Sequence, residues 1–235
     1  MIKEINHKYN TFQNNSVEIT IETLKKYNDP FNDVEIDLVF KNPVGEKLVV
    51  PAFWADKNLW KARYSSPIKG THKFTIKCSD DENTELQTTS GVVTISEYYG
   101  INSLYRRGGL KISSNGKYLE HFDGTPFFWL GDTWGHGLVK RCRWPEDFKL
   151  LIKDRVKKGY TVIQIVAGLY YDTKSFNDYG ANESGWPWNE NFTTINPSYF
   201  DNADKRIEYL IEVGLIPCIV GAWGYHLYFH IMEVI

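Results

Sequence analysis

The stretch Phe127-Phe128-Trp129-Leu130-Gly131-Asp132-Thr133-Trp134 opens a cycle that decides the architecture of the second half of the chain. Its front, Pro126–Gly131, is an unbroken apolar run, the pattern of a strand buried on both faces. A helix follows. Pro145 suits its first position, and Glu146 and Asp147 complement the positive end of the helix dipole. Phe148, Leu151, Ile152 and Val156 share one face at spacings of three and four, and Gly159 ends the helix. Thr161–Ala167 is then a β-branched strand. The cycle repeats: Asn196 caps and Pro197 starts a second helix, with Phe200, Ala203, Ile207, Leu210 and Ile211 on its core face and Gly214 at its end. Leu215–Ala222 is the third strand, in which Pro217 is awkward for a central position. Strand, helix, strand, helix, strand with short connections implies parallel pairing through right-handed crossovers. A doubly wound sheet and a (β/α)8 barrel begin alike. No Gly-x-Gly-x-x-Gly follows any of the strands, which removes the usual dinucleotide reading.

Upstream the period changes to two. Val17, Ile19 and Ile21 alternate with Glu18, Thr20 and Glu22; Val34, Ile36, Leu38 and Phe40 do the same around Glu35 and Asp37. Further strand-like runs are Lys47–Phe53, Asn58–Tyr64, Thr71–Cys78 and Gly91–Ser96, separated by turn chemistry such as Asn28-Asp29-Pro30 and Asn42-Pro43-Val44-Gly45. Short strands at this spacing predict an antiparallel β-sandwich of immunoglobulin type. Asn115-Gly116 and Asp123-Gly124 then signal two hairpins with type I′ turns. The expected organisation is a β domain over residues 1–98 and an α/β domain over 108–235.

Composition narrows the function. The 235 residues carry a net charge of -2 with both signs interspersed, so no basic footprint invites nucleic acid. No apolar run is long enough for a membrane span, and Met1–His7 lacks a secretory signal, so a cytoplasmic chain without a membrane partner is expected. Cys78, Cys142 and Cys218 are odd in number and far apart, which supports neither a disulfide framework nor a zinc cluster. Aromatic residues make up 15% of the chain, and their flat faces suit the apolar C–H faces of sugar rings as well as cores.

Two resemblances follow. Asn28–Glu35, Val50-Pro51-Ala52-Phe53-Trp54, Trp60–Tyr64 and Gly70–Phe74 resemble the β-sandwich module known as domain-of-unknown-function family 5060. Phe127–Trp134, with Gly159–Gln164 and Gly221-Ala222-Trp223-Gly224, resembles the apiosidase-like catalytic domain, domain-of-unknown-function family 4038. This implies a (β/α)8 barrel of the TIM type, of which the chain would hold the first three βα units. It also implies a glycoside hydrolase acting on plant or microbial polysaccharide.

In such a barrel the active site lies at the C-terminal ends of the strands. The candidate substrate-binding residues there are Asp132, Trp134 and His136 after the first strand, and Gln164 at the end of the second. Tyr171, Trp186 and Trp188 lie in the long loop 168–194, and Trp223 follows the third strand. Glycoside hydrolysis needs two carboxylates. Asp172 and Glu183 qualify by position only, and relatives take theirs from later strands, so no catalytic pair is assigned and the chain is expected to be incomplete and inactive alone. A non-catalytic carbohydrate-binding protein or a structural remnant are the competing readings. His226 and His230 have zinc-helix spacing, but Leu227 stands where a base would be; no metal or cofactor is expected. The expected partner is an oligosaccharide or polysaccharide, with association through the open barrel edge.

Overall fold

The computed structural model describes residues 6–170, 172 and 176–221. The chain divides into two compact units, Met1–Thr125 and Pro126–Ile235.

The first unit is built on strands β1 (Asn6–Phe12), β2 (Val17–Glu22), β3 (Ile36–Lys41), β4 (Lys47–Pro51), β5 (Phe53–Asp56), β6 (Leu59–Tyr64), β7 (Gly70–Cys78) and β8 (Ser90–Ser96). One sheet has the order β1-β8-β7-β3-β4, and a second has the order β2-β6-β5. The alternation in the sequence becomes burial: Ile19 and Ile21, Ile36, Leu38 and Phe40, Phe74 and Ile76, Val93 and Ile95 all turn into one core shared by both sheets, with Trp60 at its centre. Phe40 stacks on Tyr64 at 3.7 Å between ring centroids. The buried polar groups beside them are satisfied. His72 Nε2 lies 2.8 Å from the Ile68 carbonyl and must donate to it, so Nδ1 accepts from the Tyr64 hydroxyl at 2.7 Å.

Three features depart from the expected antiparallel pattern. β1 is a strand that lacks a clean apolar alternation, and it pairs with β8 in parallel. Lys47–Phe53 is not one strand, because Ala52 separates β4 from β5 and the two belong to different sheets. Two short helices, α1 (Thr84–Gln87) and α2 (Ser103–Arg107), occupy stretches to which the sequence pattern assigned no helix, capped by Asn83 and Asn102.

After them come β9 (Leu110–Ile112) and β10 (Leu119–His121), paired antiparallel. Their turns are not type I′, which needs positive φ at both central residues. Gly116 and Gly124 have φ of 71° and 87°, while Asn115 and Asp123 stay in ordinary backbone regions. The glycine supplies a single left-handed residue at the end of each turn.

The second unit contains β11 (Pro126–Phe127), β12 (Gly131–Trp134), α3 (Glu146–Lys157), β13 (Val162–Val166), α4 (Pro197–Glu212) and β14 (Ile216–Val220). β12, β13 and β14 form a sheet in that order, with both pairs parallel. The apolar run Pro126–Gly131 is therefore not a buried strand. It breaks between β11 and β12, and Phe128 and Trp129 are 73% and 48% exposed.

α3 begins one residue later than expected, with Pro145 at its cap, and buries only Phe148 and Ile152; Leu151 and Val156 stay exposed. α4 starts as expected at Pro197. Its buried stripe is Tyr199, Ala203, Arg206 and Leu210, with an arginine where an apolar residue would be anticipated. Ile163 and Ile165 of β13 pack against Phe148, Ile152, Ala203 and Leu210, which fixes the helix-facing side of the sheet. Pro217 is accommodated in β14 because Ile216 N donates to Thr161 O on the β13 side. The next nitrogen along the strand points away from β13, so no ladder bond to β13 is lost.

Phe40→Ala should lower the stability of the first unit by about 3–5 kcal/mol, since it removes a wholly buried ring together with its stacking partner. Urea titration followed by near-UV circular dichroism checks it; a loss under about 1 kcal/mol would mean that the core collapses around the gap.

Candidate active-site rim

The candidate residues of the second unit divide by strand alternation. Asp132 is level with Ile163, and Trp134 with Ile165, so both side chains lie on the helix side of the sheet. Trp134 meets Phe148 of α3 edge-on at 5.6 Å. Asp132 Oδ2 accepts from Trp134 Nε1 at 2.7 Å and from Arg155 Nε of α3 at 2.5 Å, while Oδ1 accepts from the Thr133 amide. Partial burial pushes its carboxyl up, but the bonds from Arg155 and Trp134 outweigh that and hold it below the ordinary carboxylate range. Asp132 thus ties the first strand to the helix that follows it.

Thr133, Gln164 and Cys218 form the next row, one residue from each strand, directly in register. Alternation turns this hydroxyl, amide and thiol to the face opposite the helices.

Beyond the strand ends, His136 and Tyr170 come together, their rings stacked at 4.6 Å. Tyr170 is buried, its hydroxyl donates to the Val166 carbonyl, and burial raises its pKa far above the ordinary phenol value. His136 Nε2 lies 2.9 Å from Asp172 Oδ1, and Arg141 Nη1 lies 3.7 Å from the other oxygen of that carboxylate. A histidine, a carboxylate and an arginine therefore converge where β12 and β13 end.

The long loop is ordered by specific contacts. Trp186 packs over Gly180, where a Cβ would lie 2.3 Å from the indole, and it belongs to a small cluster with Val139, Val166 and Tyr170. Trp188 pairs with Ile195 in an isolated bridge and lies 6.0 Å from the Phe192 ring. Asn196 caps α4 in position only: its side chain donates instead to the carbonyls of Ser184 and Trp186, which fastens the loop. Glu183 receives both terminal nitrogens of Arg206, at 2.9 and 3.2 Å. Arg206 is wholly buried; it also donates to the Cys142 carbonyl and lies under Trp144. Glu183 is therefore a counter-ion, a role that nothing in its local sequence signals. Phe176 and Phe192, which no sequence pattern marks, both adopt left-handed backbone with φ of 60° and 55°. For a bulky side chain that conformation costs about 1–2 kcal/mol. Tyr171, Trp223, His226 and His230 lie outside the described residues.

Two measurements probe these ion pairs. Asp132→Asn should cost about 1 kcal/mol at neutral pH, allowing for solvent screening of a partly exposed pair. A depressed carboxylate contributes stability above its unfolded pKa and loses it as pH falls through the folded value. The gap between wild type and variant should therefore close below about pH 4; a gap that persists there would deny the ionic origin. Glu183→Ala should cost about 2–4 kcal/mol by leaving a buried guanidinium uncompensated, and adding Arg206→Met should recover part of that loss. Additive losses in the double variant would remove the coupling.

A protein from Bacteroides vulgatus ATCC 8482, described as a candidate glycoside hydrolase, matches 91% of this chain with a TM-score of 0.67 at 15% identity, which shows a shared fold. A protein described as a glycoside hydrolase matches 52% of the chain at 31% identity, with a TM-score of 0.41. A family 5 glycoside hydrolase from the same Bacteroides strain matches 55% at 24% identity, with a TM-score of 0.43. The chain spans 41% of the first of these proteins and 27% of each of the other two. No curated protein matches. Residues 10–79 match the domain-of-unknown-function family 5060. Residues 113–232, more than half of the chain, match the apiosidase-like catalytic domain, and the chain belongs to that family.

Proposed function

We propose that this chain is the N-terminal part of a glycoside hydrolase and supplies one segment of its saccharide-binding rim. In this reading the first unit is an immunoglobulin-like β-sandwich, and the second is the first three βα units of a (β/α)8 barrel. The single observation that carries it is the convergence of His136, Tyr170 and Asp172 beyond the ends of two parallel strands, in a chain of the apiosidase-like family. That is where such barrels bind substrate. Gln164, on the face away from the helices, and Trp188, in the loop, belong to the same rim. Asp132 and Trp134 do not, since their polar and aromatic groups are committed to α3.

The reaction itself requires an acid and a nucleophile or base on either side of the glycosidic bond. Asp132, Asp172 and Glu183 each have a guanidinium partner, Arg155, Arg141 and Arg206 respectively, and Asp172 also meets the His136 ring. For Asp132 and Glu183 those bonds outweigh partial burial and hold the carboxyl below the ordinary range, the opposite of the raised carboxyl that a catalytic acid needs. We therefore assign these three to positioning and binding. Their engagement also favours a second reading, a carbohydrate-binding protein without turnover.

The test combines calorimetry with a release assay. The chain should bind oligosaccharides drawn from plant and microbial polysaccharides but release no aglycone from aryl glycosides. His136→Ala and Gln164→Ala should each weaken binding roughly tenfold, the equivalent of one well-made polar contact. Turnover by the chain alone would overturn the assignment of its carboxylates, and saccharide binding indifferent to both substitutions would move the rim elsewhere.

A further inference from the structure

Among the described residues, five turns outside the helix ends share one construction. The amide of the fourth residue donates to the carbonyl of the first, and that fourth residue has a positive φ. They are Asn42–Gly45, Ser113–Gly116, His121–Gly124, Asn182–Gly185 and Asn189–Phe192, with N–O distances of 2.9–3.1 Å. Four place glycine at the left-handed position, as the steric cost of a Cβ there demands. The fifth places a phenylalanine.

The first and fifth turns share the side-chain bonds that frame them. Asn42 Oδ1 accepts from the Glu46 amide at 2.9 Å, and Asn189 Oδ1 accepts from the Thr193 amide at 2.9 Å. Asn42 Nδ2 donates to the Glu46 carboxylate, and Asn189 Nδ2 donates to the Thr193 hydroxyl. Gly45 and Phe192 occupy the same place in that frame, so the turn has no need of an aromatic side chain. Nor does burial explain one, because Phe192 is 54% exposed. Its ring lies 5.4 Å from Phe176, itself left-handed, and 6.0 Å from Trp188, so the three rings make one continuous aromatic surface. Backbone strain that persists at an exposed side chain points to a task for that side chain.

We propose that Phe192, flanked by Trp188 and Phe176, is a stacking platform for one ring of an extended oligosaccharide, a subsite carried by the long loop. The proposal rests on the saccharide-binding reading above and names a residue set for it. A flat, half-exposed ring offers dispersion contact to the C–H face of a sugar. Glu190 and Asn191, exposed in the same turn, supply polar groups for hydroxyls at its edge. Holding the ring outward in advance, at the expense of backbone strain, lowers the ordering needed on binding.

The experiment is isothermal titration of the full chain with cellohexaose, xylohexaose and an α-1,4-linked hexagalacturonate, repeated on Phe192→Gly, Phe192→Tyr and Trp188→Ala. Phe192→Gly restores the residue that the turn prefers, so its Tm should stay within about 2 °C of wild type. Its affinity for whichever hexasaccharide binds should fall roughly tenfold or more. Phe192→Tyr, which keeps the flat face, should keep the affinity. Unchanged binding in Phe192→Gly overturns the platform, and so does failure of Phe192→Tyr to retain binding. If binding survives Phe192→Gly but is lost in Trp188→Ala, the platform falls while the saccharide reading stands. If wild type binds none of the three, both fall together.

Discussion

Much of the second unit depends on the register of β13 between β12 and β14. Ile163 and Ile165 are wholly buried against α3 and α4. Period-two alternation then leaves no freedom to the neighbouring strands: whatever stands level with those isoleucines must face the helices. In β12 the level residues are Asp132 and Trp134. A carboxylate on a helix-packed face needs a partner, and Arg155 of α3 provides it. The same alternation sends Thr133, Gln164 and Cys218 to the opposite face as a polar row. Register alone therefore separates a structural aspartate from a row that can meet a ligand, although Asp132 and Thr133 are adjacent in the chain.

A second constraint comes from Arg206. It falls on the stripe Tyr199, Ala203, Arg206, Leu210, where helical spacing buries whatever residue is present. Its charge can be accommodated there only if a carboxylate comes to meet it, and Glu183 arrives from the loop. The ion pair thus anchors the loop as well as the helix. Asn182, which donates to the Tyr199 carbonyl, and Lys140, which pairs with Asp178, fasten the same loop at other points. With its backbone held this way, the loop can present Trp188 and Phe192 in fixed positions.

These two constraints explain which parts were legible in the sequence. Strands β2, β3, β6, β7 and β8 carry the alternation, and Pro145 and Pro197 mark the starts of α3 and α4, so local pattern located these elements. It did not give the buried faces of the two helices, since Leu151 and Val156 stay exposed and Arg206 is buried. β1, Asn6–Phe12, has no such alternation; it is held by its ladder to β8, a partner far along the chain that no local window contains. Phe127–Trp134 misled for the opposite reason. Its apolar run looked like one buried strand, but Phe128 and Trp129 turn outward between two short ones. In the site, residue type identified His136, Trp186 and Trp188 as notable. It could not tell Asp132 from a binding carboxylate, because Arg155 becomes its partner only across the strand–helix crossover.

Phe192 illustrates the limit most sharply. Asn-Gly and Asp-Gly announce a left-handed turn residue because glycine is the low-strain solution. Where a turn uses an expensive residue instead, the sequence shows only an ordinary loop aromatic. The conformation persists because neighbouring bonds over-determine it: Asn189 accepts from the amides of Thr193 and Thr194 through its side chain and from Phe192 through its carbonyl. Each of those bonds would form equally well around a glycine, so the frame supplies the order and leaves the choice of side chain free. A position released from the demands of folding, and then filled against local preference, is where binding chemistry can be expected to show through the fold.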